Sequence, residues 1–63
     1  MSKVYYLPYY LVLDGAPESI TFTKNGEVVK FSHKSVAQSF ALRFNEVRES
    51  LNLNGCWTVV KTG

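Results

Sequence analysis

At 63 residues, with 46% hydrophobic, 14% aromatic and 19% charged side chains, the chain has the apolar content of a folding domain but room for only one, over residues 1–63, burying roughly 60% of its unfolded surface. A single Cys excludes an internal disulfide framework, and one Cys with one His excludes a zinc finger closed within the chain. Seven Lys and Arg against five Asp and Glu leave a net charge of +2, a smaller excess than duplex-DNA binding draws on and the wrong sign for an acidic DNA mimic.

Residues 3–13 read as the first strand, rich in Tyr, Val and Leu. One face carries Tyr5, Leu7, Tyr9, Leu11 and Leu13; the other carries Val4, Tyr6, Tyr10 and Val12. A half-buried strand alternates apolar with polar, and this one is apolar on both faces. Either both faces are covered or one is a contact surface. Pro8 has no N–H to give a ladder, so it implies an edge strand, a bulge or a break. The run is too short to cross a bilayer and has no small-residue cleavage site, so neither a membrane segment nor an export signal is expected. With the lone Cys, this favours a reducing, cytoplasmic setting. Asp14 to Ser19, with Gly15 and Pro17, reads as a loop.

Ile20 to Phe31 is a hairpin around Asn25-Gly26. Asn-Gly favours the two positive backbone angles of a type I′ turn, whose twist matches that of the strands. The turn sets Lys24 opposite Glu27, Thr23 opposite Val28, Phe22 opposite Val29, Thr21 opposite Lys30 and Ile20 opposite Phe31. Ile20, Phe22, Val29 and Phe31 then share one face, so turn chemistry and apolar pattern agree.

A helix follows. Ser35 with Gln38 fits a capping box, and Ser32 is a competing cap. Val36, Phe40, Phe44, Val47 and Leu51 recur at spacings of three and four, an apolar stripe with Ala37 and Ala41 beside it. Asn54-Gly55 supplies the stop, with Gly55 as the left-handed residue. Cys56 to Lys61 reads as the last strand, Trp57 and Val59 toward the core and Cys56, Thr58 and Val60 away from it. The expected fold is α+β, a small β-β-β-α-β domain with a mainly antiparallel sheet and one helix packed on one face. Up-down alternation makes the last strand parallel to the first and third. Its expected place is beside the first strand, in the spatial order 4-1-2-3, although Pro8 argues for an edge position of strand one.

The sheet face away from the helix is the first candidate surface. It is expected to carry Val4, Tyr6, Tyr10 and Val12 from the first strand and Thr21, Thr23, Val28 and Lys30 from the hairpin. On the plainest reading Tyr6 and Tyr10 only shield the sheet, hydroxyls in water. A contiguous apolar patch is nonetheless seldom left unused, and Tyr suits interfaces because it offers large area at low entropic cost. A protein, a second copy or unpaired bases could occupy it. Bases would stack on Tyr6 and Tyr10 while Lys30, Lys3 and Lys61 held phosphates. Leu42 is the second candidate, an apolar residue among Gln38, Asn45, Glu46 and Glu49, though single exposed leucines are common.

His33 and Cys56 alone carry nucleophile or ligand chemistry, and nothing in their spacing supplies an orienting group or an oxyanion site. Asp14 with Glu18, and Glu46 with Glu49, suit a turn and a solvated helix face better than acid–base work. No catalytic residue, metal site or cofactor is expected. In size and character the chain resembles the small intracellular proteins of phages and mobile elements, many of which act by binding a host enzyme. The resemblance spans the whole chain and rests on no motif. With the residue reading, it implies a non-enzymatic protein that modulates or inhibits a larger host or cognate protein through an exposed sheet face or edge. Tyr6, Tyr10, Val4, Val12, Lys30 and Leu42 are the expected contacts. A single-stranded nucleic-acid-binding module and a homodimeric assembly protein are the alternatives from other classes.

Overall fold

The structure is a computed structural model that describes residues 6–15 and 17–62. Lys3, Val4 and Tyr5, assigned above to the first strand, lie outside the described residues. The elements are β1 (Tyr9–Asp14), β2 (Ile20–Thr21), β3 (Thr23–Lys24), β4 (Glu27–Val28), β5 (Lys30–Phe31), α1 (Lys34–Ser50) and β6 (Cys56–Lys61). The fold is α+β, an antiparallel sheet with one helix on one face, as the sequence predicts.

β1 is the central strand. On one side it pairs with β6 along its whole length, from Tyr9 opposite Lys61 to Asp14 opposite Cys56. On the other side two short strands lie end to end: β2 sets Ile20 and Thr21 opposite Leu13 and Val12, and β5 sets Phe31 and Lys30 opposite Tyr9 and Tyr10. Among the described residues strand pairing begins after Pro8, and β1 is central, so the proline does not mark an edge strand. It stands at the strand's start, where its missing N–H costs nothing, and its carbonyl accepts the Thr62 N–H at 2.7 Å.

The turn at Asn25-Gly26 forms as expected, with φ of 54° and 82°, and holds Lys24 opposite Glu27 and Thr23 opposite Val28. The expected pairing fails beyond Phe22 and Val29, which are joined by a 3.0 Å bond from the Val29 N–H to the Phe22 carbonyl. Ile20 does not face Phe31, and Thr21 does not face Lys30. Each instead pairs with β1, which is long enough to take both stretches in succession, and Phe22 donates to the Leu11 carbonyl at 2.9 Å between them. β3 and β4 therefore form an exposed arm projecting from an interrupted strand. This overturns the expected strand direction. Because β2 and β5 run the same way along β1, the chain has one reversal fewer than up-down counting assumes, and β6 is antiparallel to β1, not parallel. Its place beside the first strand is as expected.

The helix turns a different line to the sheet than the large apolar residues suggested. Ala37 and Ala41 are buried, Phe44 half-buried, while Val36, Phe40, Val47 and Leu51 are 42–61% exposed. Small side chains let the helix approach the sheet closely, and the bulky ones wedge along its flank. The buried apolar core is Leu11, Leu13, Phe31, Ala37 and Ala41. Around it runs an aromatic chain: Phe31 to Phe40 and Phe22 to Phe44, both at 5.1 Å between ring centres, with Trp57 edge-on to Phe22 at 5.8 Å and to Phe44 at 5.9 Å. These are the spacings of favourable aromatic pairs.

Both helix ends correct the sequence reading. His33, not Ser35, is the N-cap, with no side-chain hydrogen bond to the orphan N–H groups, and the first turn has no acid. His33→Asp is accordingly expected to raise stability by about 1 kcal/mol in urea titration, through a cap and the helix dipole; an unchanged midpoint would show that the first-turn donors are already satisfied. At the other end Leu51 is the C-cap, and Asn52 takes the first left-handed position, at φ 55°. The Leu53 N–H donates to the Arg48 carbonyl at 2.9 Å and that of Asn52 to the Glu49 carbonyl at 3.1 Å, which is a Schellman motif. Gly55 is left-handed too, but it serves the turn into β6.

Candidate functional site

Residue parity in β1 decides the two faces. Leu11 and Phe31 are buried against Ala37 and Ala41 of the helix, with Tyr9, Trp57 and Val59 packed there, and Leu13, of the same parity, is buried too. Tyr10 and Val12 point the other way. Their cross-strand neighbours complete that face: Lys30 and Val60 flank Tyr10, and Thr21 and Thr58 flank Val12. The centre of this face is apolar, Tyr10, Val12 and Val60 all half-buried by one another, and its rim is polar. Among the described residues no element packs over it.

Of the expected contacts, Tyr10, Val12 and Lys30 thus stand together. Val4 lies outside the described residues. Tyr6 is 68% exposed and precedes the paired strand, so the sheet does not set it beside Tyr10. Thr23 and Val28, also assigned to this face, belong to the projecting arm. Lys61 lies opposite Tyr9, on the helix side of the sheet, so Lys30 is the lysine beside Tyr10 among the described residues. Leu42 is 63% exposed, as its polar neighbours predicted, but it lies on the helix, across the sheet from Tyr10. His33, the residue before the helix, follows the end of β5 that pairs with Tyr9, whereas Cys56 pairs with Asp14 at the other end of β1, so the fold does not bring the two together.

A second feature escaped the sequence reading. Between α1 and the outer edge of β6 runs an open groove of about 620 Å³. Its helix wall is Lys34, Gln38, Ala41, Leu42 and Asn45; Trp57, Thr58 and Val59 form the strand wall. Asn45 closes one end. Its side-chain Nδ2 donates to the Trp57 carbonyl at 3.0 Å, and its Oδ1 accepts the Trp57 N–H at 2.6 Å. One amide thus does for Trp57 what a neighbouring strand would do. The sequence places Asn45 among the polar residues around Leu42 on the solvated helix face. The signal was present: it falls four residues after Ala41, on the line of the two buried alanines, where a polar side chain has to find backbone partners.

No family model, curated protein or solved structure matches the chain. Its chemistry is therefore read from these surfaces alone. Among the described residues no three His, Cys, Asp or Glu side chains converge on a common point, and no helix is long and apolar enough to cross a membrane. A smaller apolar cleft of about 310 Å³, between Phe22, Phe44, Val47, Leu53 and Trp57, results from the helix standing on its alanine line.

Proposed function

We propose that the protein is a non-enzymatic binding module that docks on a larger host or cognate protein through the uncovered face of its sheet and modulates that partner. The observation that carries this reading is the apolar centre formed by Tyr10, Val12 and Val60, with Lys30, Thr21 and Thr58 around it. An apolar middle with a polar rim is the usual anatomy of a protein interface, and a tyrosine at its centre is a typical energetic anchor. A nucleic-acid reading has less behind it, since base stacking with phosphate neutralisation wants several cations around the rings.

The test replaces Tyr6 and Tyr10 with Ser. The double variant is expected to lose no more than about 1 kcal/mol of stability, because both side chains keep contact with water. Affinity for the partner captured with the wild-type protein should fall about thirtyfold or more. Methyl resonances of Val12 and Val60 should shift when that partner is added, and those of Leu11 should not. A loss of several kcal/mol in stability with unchanged affinity would make the tyrosines structural and end the reading.

A further inference from the structure

We infer that the outer edge of β6 is a strand-addition site that takes an extended segment of another protein, antiparallel, at Val59 and Lys61, with an acidic side chain in that segment near Lys34 and Lys61. This goes beyond the open-face reading and uses a different surface.

The phase of the ladder comes first. The Thr62 N–H donates to the Pro8 carbonyl, and an antiparallel ladder alternates hydrogen-bonded and non-bonded pairs. Thr58 and Val60 therefore turn their backbone groups toward β1, and Trp57, Val59 and Lys61 turn theirs outward. Asn45 satisfies Trp57. Val59 and Lys61 are left with outward N–H and C=O groups that meet no partner among the described residues. The opposite edge of the sheet is interrupted by the projecting arm between β2 and β5, so it offers no comparable run. Most proteins blunt such an edge. Here one residue is covered by a dedicated side chain while the next two outward positions stay open beside a groove.

The groove then specifies the occupant. Alternate residues of an added strand share a face, so those opposite Val59 and Lys61 project to the helix side, toward Ala41, Leu42 and Lys34. The first meets an apolar wall; the second lies opposite Lys61, toward the end of the groove where the helix contributes Lys34, and the groove lining has no carboxylate. Read in the direction of the incoming strand, the pattern is acid, any residue, apolar. A second copy of the chain fits poorly. Two-fold pairing through the same positions would set Lys61 of each copy opposite Val59 of the other, so an ammonium group would meet the apolar position and the two Lys61 residues would be diagonal neighbours with no acid between them, which is unfavourable.

The probe is a set of fluorescent peptides of sequence Ser-Glu-Thr-X-Thr, with Ala, Val, Leu or Phe at X, against the same set with Lys in place of Glu. With the full-length protein, at least one Glu peptide should bind about tenfold or more tightly than its Lys counterpart. The Val59 and Lys61 amides, fast to exchange in the free protein, should become protected, while the Val12 methyls, which report the open face, stay put. Lys34→Glu/Lys61→Glu should reverse the preference. Chain made by synthesis with the Val59 amide N-methylated should fold, since that N–H faces outward, and bind about tenfold more weakly or worse. The inference is overturned if no peptide binds at millimolar concentration, if the N-methylated protein binds equally well, or if the protein sediments as a dimer with the Val59 amide already protected.

Discussion

Leu11→Ala is expected to leave much of the protein unfolded at 25 °C. Leu11 is 0% exposed and is the largest fully buried side chain. It sits mid-way along the strand to which β2, β5 and β6 are all bonded, under Ala37 and Ala41. Truncating a buried Leu to Ala costs about 3–5 kcal/mol, part lost transfer energy and part cavity. A domain of this length has roughly 3–9 kcal/mol of stability in total. The two quantities are of one size, and the two small alanines on the helix cannot move in to fill the gap. Far-UV circular dichroism through a urea titration is the measurement. The expected trace has a shortened or missing folded baseline; a midpoint close to that of the wild type would mean that β1 is not the centre of the core.

The second large effect belongs to Asn45. Asn45→Leu removes the donor and the acceptor that the Trp57 backbone uses, and leaves a half-buried N–H and C=O with the groove's apolar wall beside them. Each unsatisfied group costs on the order of 1–3 kcal/mol when fully buried, and water reaches this edge in part, so a total of about 2 kcal/mol is expected. Asn45→Asp keeps the acceptor and loses the donor, and should fall between the wild type and Asn45→Leu. Hydrogen exchange supplies the specific signature: the Trp57 amide should exchange much faster in Asn45→Leu under conditions where Val60, bonded to β1, is still protected. Equal exchange at Trp57 in the two proteins would dissolve the assignment of Asn45 as cap of the edge.

Much of the architecture follows from local chemistry. Asn25-Gly26 dictates its turn because few other pairs tolerate two positive φ angles in succession, and so the pairs Lys24–Glu27 and Thr23–Val28 could be read directly. The helix was legible from its period, and the face of the last strand from the alternation of Trp57 and Val59 with Thr58 and Val60. Tyr10, Val12 and Lys30 could be placed on one face because strand parity carries across a register once the two faces are known. Asn45 was not, because its partners are backbone groups twelve residues later in the chain, and side-chain type alone does not announce such a partner. The polar neighbours of Leu42 predict its exposure, but only the position of β6 makes it the wall of a groove.

What local sequence determined is each element's kind and sidedness: turn, helix, alternation, the two apolar faces of the first strand. Competition between elements for the same hydrogen-bonding groups was decided by tertiary structure. The stretches around Phe22 and Val29 could bond to each other or to β1, and the longer strand won because it satisfies both at once while burying Phe31 and packing Phe22 against the core. That choice reversed the direction of β6 relative to expectation, set the helix on its alanines and left its bulky residues half in water. It also left two backbone positions open on the last strand, since an edge exists only relative to the strands around it.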